Sequence, residues 1–303
     1  LVDSKKYTNY RLVKTHPETE SELSTLKNLQ NHNVLDIDFW IDPTRVNRSV
    51  EFLVSPNNFH EVKTTLEKAG MDISVLSNNI QSDIDNEKGP ATNMSLYSMS
   101  SVTDTYATYD QIVDLIKGYA QTYSHIRVVT YGKSYEGRDL YAIKFSVGPG
   151  RQTIFIEAGM HCREWIAIAS TLKIIERMAT GRNSDAEITD LLDKYDWVFV
   201  PVVNPDGYHV THTENRMWRK NVRPDPSGCN GTDLNRNFDA KWGGEGASPD
   251  PCKSTYRGRN VFSEPESRFL SRFVRSTRNI IAFFSVHAYS QYILTPYGCT
   301  NKK

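Results

Sequence analysis

Net charge is missing from this chain: 36 Lys and Arg balance 36 Asp and Glu, and the pI is about 7.2. Without a basic excess there is no electrostatic footprint for nucleic acid or for an anionic membrane surface. Long hydrophobic runs are missing too. No stretch approaches the roughly 18 apolar residues that cross a bilayer. Cysteine is scarce, with Cys162, Cys229, Cys252 and Cys299 the whole supply. No two stand at C-x-x-C spacing, which argues against a cysteine zinc site or a thioredoxin-like motif. No signal peptide opens at Leu1, so a secreted protein of this sequence is expected to be a processed form.

What is present suits a globular protein. Hydrophobic residues make up 38% and aromatics 11% of 303 residues, enough for a sizeable core and about two domains. Cys229 and Cys252 flank a Gly/Pro/Ser/Asp-rich loop that a disulfide would staple. Asn47, Asn93 and Asn230 open glycosylation triplets, which give mild support to secretion and also arise by chance.

Residues 1–80 carry their own pattern. Asn9–Thr15, Leu35–Ile41, Val50–Val54 and Met71–Leu76 read as strands, and Glu18–Gln30 and Asn57–Ala69 as helices. The order βαββαβ predicts a small α+β, ferredoxin-like domain. Residues 81–105 read as a connector, rich in Asn, Ser, Asp and Met. Between Lys88 and Lys117 no other Lys or Arg occurs, so a trypsin-like enzyme cutting inside the connector must cut after Lys88; a lysine in a polar loop is otherwise merely solvated.

From residue 106 to 303 helix and strand alternate. Thr108-Tyr-Asp-Gln111 predicts a capping box. Arg127–Tyr131, Leu140–Phe145, Thr153–Glu157, Trp197–Val203 and Ile280–Val286 predict strands, and Trp165–Ala179 and Glu266–Arg278 predict helices, the latter capped by Ser263-Glu-Pro-Glu266. The last two strand runs are apolar throughout, as strands buried on both faces are. The expectation is an α/β domain with a mixed sheet and helices on both faces, its site beyond the carboxyl ends of the strands. His161 follows one predicted strand and His287 another.

His161-x-x-Glu164 spans a strand end and a helix start, where residues three apart share a side. With a distant His287 it makes a three-ligand set that leaves a coordination position open, the arrangement of a hydrolytic zinc. H-x-x-E also occurs as a surface pair, and a lone His at a strand end is also a structural core residue. His209 and His212 compete weakly as ligands, after the turn-rich Asn204-Pro-Asp-Gly207. A second, basic constellation comprises Asn215-Arg216-Met-Trp218-Arg219-Lys220 and Asp233-Leu-Asn235-Arg236-Asn237. Arginine forks suit a carboxylate or an oxyanion, and a solvated charged loop is the plain alternative.

Ser134-Tyr-Glu-Gly-Arg138, His161-Cys-Arg-Glu-Trp165, Asn204-Pro-Asp-Gly-Tyr208, Asn215-Arg-Met-Trp-Arg219, Asp233-Leu-Asn-Arg-Asn237 and His287-Ala-Tyr-Ser-Gln291 follow one another in order. In this the chain resembles the zinc metallocarboxypeptidases of the digestive A/B type in proenzyme form. Leu35-Asp-Ile-Asp-Phe-Trp40 resembles their activation-domain motif. The resemblance implies a mixed eight-stranded-type sheet with its last part missing, preceded by an activation domain covering the cleft. It implies one Zn2+ held by His161, Glu164 and His287, with Asp233 orienting His161. Arg219 would polarise the scissile carbonyl and stabilise the oxyanion. Asn235 and Arg236 would grip the terminal carboxylate of a peptide, and Arg163 and Arg216 would line outer subsites. It further implies a Cys229–Cys252 disulfide, secretion, activation by a trypsin-like protease at Lys88, and removal of C-terminal residues from peptides.

One departure stands out. In the family the general-base glutamate and a substrate-capping tyrosine lie several dozen residues beyond the third ligand, and no glutamate here matches the base before Lys303. Hence a second expectation, a catalytically silent zinc- or peptide-binding protein. A third is a metallohydrolase of small amides, against which Asn235 and Arg236 argue.

Overall fold

The computed structural model describes residues 4–31, 35–87 and 102–295. The chain falls into two compact units, Asp3–Thr92 and a second that takes in Asn93–Lys303.

The first unit runs β1(Arg11–Thr15), α1(Glu20–Asn31), β2(Ile37–Ile41), β3(Val50–Val54), α2(Phe59–Lys68), β4(Ser74–Ser77) and α3(Ile80–Glu87). Leu23, Leu26 and Leu29 give α1 one buried stripe, and Glu20 and Glu22 sit in its first turn, where the helix dipole favours acids. In α2, Val62 and Leu66 are buried one turn apart. The four strands form an antiparallel sheet in the order β2-β3-β1-β4. β1 and β2 are thus split by β3, which is the ferredoxin-like arrangement. Val13, Phe39, Val50, Phe52 and Val54 pack with Leu26, Leu29, Val62 and Leu66 into one core. The expected connector is shorter than its composition suggested. α3 occupies its start because Ile80 and Ile84, one turn apart, are both buried. Lys88 and Asn93 lie outside the described residues.

The second unit runs α4(Tyr109–Thr122), β5(Ile126–Lys133), β6(Asp139–Phe145), β7(Gln152–Ala158), α5(Trp165–Gly181), α6(Ala186–Lys194), β8(Tyr195–Val200), α7(Pro205–Thr213), a 3-10 turn (Leu234–Arg236), α8(Pro265–Ser276) and β9(Ile280–Val286). Thr108 and Gln111 form the reciprocal capping box of α4. The described sheet has five strands in the order β5-β6-β8-β7-β9. β5–β6 and β6–β8 are antiparallel, and β7 pairs in parallel with β8 and with β9. Alternate residues of each strand serve opposite faces. Ile143, Ile156 and Phe199 pack with α4, α5 and α6 on one face, and Ala142, Phe155 and Val198 with Leu270 of α8 on the other. The sheet is therefore mixed, with helices on both sides. No described helix is long and apolar enough to cross a membrane.

One helix replaces expected loop, and another stands where the sequence reading placed no element. Asn204-Pro-Asp-Gly207 is the start of α7, with Pro205 at its first position and Asn204 Oδ1 accepting from the Gly207 amide. α6 is capped by Asp185, whose side chain accepts from two amides of its first turn. Conversely, Ser263-Glu-Pro-Glu266 makes no side-chain cap on α8, because Glu264 and Glu266 are drawn inward. Two glycines set the close approaches. Gly159 leaves β7 at φ +70°, and a Cβ at Gly207 would stand 2.6 Å from the Lys220 carbonyl and 2.8 Å from Cys162 Sγ. The Lys220 ammonium, its pKa lowered by burial to about 8, donates to the Pro251 carbonyl at 2.6 Å beside the Cys229–Cys252 disulfide.

Buried carboxylates tie the loops around the sheet. Asp206, fully buried, accepts from Ser134 Oγ at 2.7 Å, Arg138 Nη1 at 2.7 Å and the Glu136 amide at 2.8 Å. Glu264 takes Arg223 Nε at 2.9 Å, and Asn221 Nδ2 bridges Glu264 and Glu266 at 2.7 and 3.1 Å. Glu266 also accepts from the Tyr135 amide at 2.8 Å, yet no cation reaches it closely enough to offset its burial. Burial raises its carboxyl from the ordinary 4.5 to about 7. A carboxyl raised in the folded state contributes stability below its unfolded value and loses it as pH climbs through the folded one. At about 1.4 kcal/mol per pH unit, Glu266 weakens the fold by about 3 kcal/mol between pH 4.5 and 7. Denaturant titrations of Glu266→Gln against the parent protein should show this acid-side gain flattened; parallel curves for the two proteins contradict it.

Candidate metal centre

β7 and β9 lie side by side in parallel, with Glu157 opposite Ser285 and Ala158 opposite Val286. Their carboxyl ends therefore open at the same end of the sheet. His161 leaves β7 by the Gly159 turn, Glu164 stands at the N-terminus of α5, and His287 is the first residue past β9. These three form a group of ligand atoms lying within 4.8 Å of one another. His161 Nδ1 is 2.8 Å from Glu164 Oε1, and His287 Nδ1 is 2.9 Å from Glu164 Oε2. The Ala288 amide also donates to Oε2 at 3.1 Å. One carboxylate thus stands between two imidazoles whose ring centroids are 4.7 Å apart.

Behind His161 lies Asp233, fully buried, with Oδ1 3.1 Å from His161 Nε2. Arg219 closes the set: Nη2 donates to Asp233 Oδ2 at 2.9 Å and Nε at 3.3 Å, and Nη1 stands 4.0 Å from Glu164 Oε1. Burial alone would raise the Glu164 carboxyl, but the hydrogen bonds from His161 and His287 override it and hold it well below the usual carboxylate range. Asp233 follows the same logic, with Arg219 and His161 overriding its burial. Burial presses His287 toward the neutral form, and its bond to Glu164 outweighs that and raises it.

The donor set fits a metal ion. Ionised Glu164 and Asp233 can only accept, and a neutral imidazole carries one N–H. His161 faces a carboxylate oxygen on both nitrogens, so with one proton on the Asp233 side its Nδ1 meets Glu164 lone pair to lone pair. A cation between them removes that conflict. Tetrahedral N/O ligation at about 2.0–2.1 Å separates ligand atoms by about 3.3 Å, within a few tenths of an ångström of these contacts. The backing of His161 by a buried carboxylate is the usual device for fixing which nitrogen is free to ligate.

The remaining candidates are placed as follows. Asn235 and Arg236 occupy the 3-10 turn capped by Asp233, whose Oδ1 accepts from the Asn235 amide at 2.9 Å. Arg236 Nε donates to the Gly246 carbonyl at 2.8 Å, and its charge is felt by Asp233. Arg216 lies over the Trp165 ring at 3.8 Å and donates to the Arg163 carbonyl at 2.9 Å, while Arg163 reaches the Met217 carbonyl at 3.5 Å. Those two form a pair of their own beside α5. His212 stacks on Trp165 at 4.3 Å and takes no part in the ligand group. Cys229 and Cys252 are disulfide-bonded, and Cys162 is buried with Sγ 3.0 Å from the Trp218 carbonyl. Two buried residues were given no role by the sequence reading. Asn204 Nδ2 reaches the Met160 and Lys220 carbonyls at 3.4 and 3.1 Å, linking the His161 segment to the Arg219 segment. Glu157 lies 1% exposed in β7. Its signal was available, as a lone charge inside an otherwise apolar strand.

Known proteins resemble this chain in sequence and in fold. The family model described as Zinc carboxypeptidase matches residues 112–303, and the one described as Carboxypeptidase activation peptide matches residues 13–87. Carboxypeptidase A1 of Bos taurus is 35% identical over 305 residues, covering 98% of this chain and 72% of the bovine protein. Carboxypeptidase A2 of Rattus norvegicus is 34% identical, over 94% of this chain and 70% of the rat protein. A crystal structure of thrombin activatable fibrinolysis inhibitor superposes with a TM-score of 0.85 at 30% identity, covering 98% of this chain and 76% of that one. Carboxypeptidase A from Helicoverpa armigera superposes at 0.81 with 25% identity, over 94% and 71%. With more than half of its residues inside the first of those family models, the chain belongs to the zinc carboxypeptidases and carries their activation peptide.

Proposed function

We propose that this chain is a secreted procarboxypeptidase that binds one Zn2+ through His161, Glu164 and His287 and removes C-terminal residues from peptides once its N-terminal unit is released. The observation that carries the proposal is the Glu164 carboxylate set between two imidazole Nδ1 atoms, with His161 Nε2 backed by Asp233. Bound zinc supplies Lewis acidity, which polarises a carbonyl and makes water a better nucleophile near neutral pH.

The protein's own groups do the rest. Asp233 keeps the His161 proton on Nε2 and leaves Nδ1 for ligation. Arg219 is held by Asp233 within 4.0 Å of Glu164, so its guanidinium is fixed beside the metal group before any substrate arrives. A fixed cation there costs no reorganisation as negative charge develops on a carbonyl oxygen. Asn235 and Arg236 on the Asp233-capped turn offer an amide and a guanidinium to a free terminal carboxylate, which makes the activity exopeptidic. Arg163 and Arg216 serve substrate residues farther from the cut. Export to an oxidising compartment is supported by the Cys229–Cys252 disulfide. A trypsin-like protease cutting after Lys88 would separate the activation peptide from the zinc-binding unit.

Three outcomes test this. His287→Ala should weaken zinc binding by more than about 100-fold, beyond the 10–100-fold typical of losing an outer partner such as Asp233; competition with a chromophoric chelator measures it, and parent-like affinity refutes the ligand set. Arg236→Ala should lower kcat/KM for peptides with a free terminal carboxylate about 10–100-fold, the worth of a charged hydrogen bond, and leave amidated peptides nearly unchanged. Limited trypsin treatment should yield a new N-terminus at Gly89 together with a rise in carboxypeptidase activity, and Lys88→Gln should abolish both; N-terminal sequencing decides the site.

A further inference from the structure

Glu157 is a buried acid with half of its hydrogen-bonding capacity unused. Ser285 Oγ donates to its Oε1, while Oε2 is shielded from solvent and has no partner among the described residues. Leaving a buried acceptor unmade costs about 1–3 kcal/mol, more when it is charged. Such a group in the wall of a reactive site calls for a partner.

His287 has the complementary deficit. Its Nδ1 faces Glu164 Oε2 at 2.9 Å, so Nδ1 is the nitrogen turned toward the ligand group. A ligating imidazole must then carry its proton on Nε2, and ligating histidines almost always give that proton to an acceptor. For His161 the acceptor is Asp233. For His287 no acceptor of Nε2 stands within hydrogen-bond distance among the described residues.

Register brings the two deficits together. Glu157 on β7 stands opposite Ser285 on β9. Side chains two apart along a strand share a face, so His287 follows Ser285 on the side that Glu157 occupies.

Resting on the zinc-centre reading above, we propose that Glu157 is the positioning residue of His287. Its Oε2 accepts the His287 Nε2–H through one ordered water, and so fixes the tautomer that leaves Nδ1 for the metal. The centre would then be backed on both imidazoles, by Asp233 through one and by Glu157 through the other.

The test uses the full chain loaded with zinc. Glu157→Leu removes the acceptor with little change in volume; it should weaken zinc binding about 10–100-fold in chelator competition while the metal-free protein melts no lower than the parent. Glu157→Gln keeps an oxygen but loses the charge, and should weaken binding by less than the Leu variant, though measurably. In 15N-resolved spectra of the zinc-loaded parent, the His287 Nε2 proton should be visible and slow to exchange with solvent. In the Leu variant it should exchange fast. Zinc affinities within twofold of the parent for both variants, with the Nε2 proton still slow, overturn the assignment. Should the parent itself bind no zinc, the metal-centre reading fails and this inference falls with it, a result distinct from parent binding that ignores Glu157.

Discussion

The contact on which the rest of the site depends is the Glu164 carboxylate between two imidazoles. It joins the segment after β7 to the segment after β9, 123 residues away in sequence. It holds only because β7 and β9 run in parallel and end together. The same carboxylate meets the Arg219 guanidinium at 4.0 Å, and that guanidinium is anchored on Asp233, which backs His161. Register, candidate ligand group and the Arg219 guanidinium are thus one connected set, in which moving any member disturbs the others.

Around that set the unit buries several acids, and their partners explain their placement. A buried charge is tolerated when paired and hydrogen-bonded. Asp233 has Arg219 and His161, Asp206 has Arg138 and Ser134, and Glu264 has Arg223 and Asn221. These pairs also knit loops to helices: Asp206 fastens residues 134–138 to the start of α7, and Glu266 fastens Tyr135 to the start of α8. The Ser134-Tyr-Glu-Gly-Arg138 motif is therefore explained by structure, as a loop clamped beneath two helix N-termini. Among the buried acids of the described residues, Glu157 and Glu266 have no Lys or Arg in salt-bridge contact, and both are raised by burial.

Much of the fold was legible because its elements have clean periods. The leucines of α1, the alternation in β1 and the apolar run of β8 each state their own geometry, whereas β9, equally apolar and read as buried on both faces, lies at the edge of the described sheet with Ile281, Phe283 and Phe284 about half exposed. α3 was hidden because two isoleucines within eight residues are too few to show a period against a polar background. α7 was hidden because Asn, Pro, Asp and Gly are both turn formers and helix starters, and only the seated Asn204 side chain decides between them. In the candidate site, His161-x-x-Glu164 was readable as a local pair. Its meeting with His287, 123 residues on, was not readable from spacing and came through the family resemblance, since nothing local encodes which strand ends lie together. The inward turn of Glu264 and Glu266 escaped for the same reason, their partners lying more than 40 residues back.

The parallel seating of β9 on β7 has a consequence for assembly. Sequence-distant contacts form late, because a long loop must close before they return any energy. A divalent ion that binds the finished group and ignores the open chain adds its binding free energy to that closure. On the proposed metal-centre reading, metal affinity is therefore also a gauge of how firmly the last described strand is docked, and a substitution far from the candidate ligands that loosens β9 registers as a weaker metal.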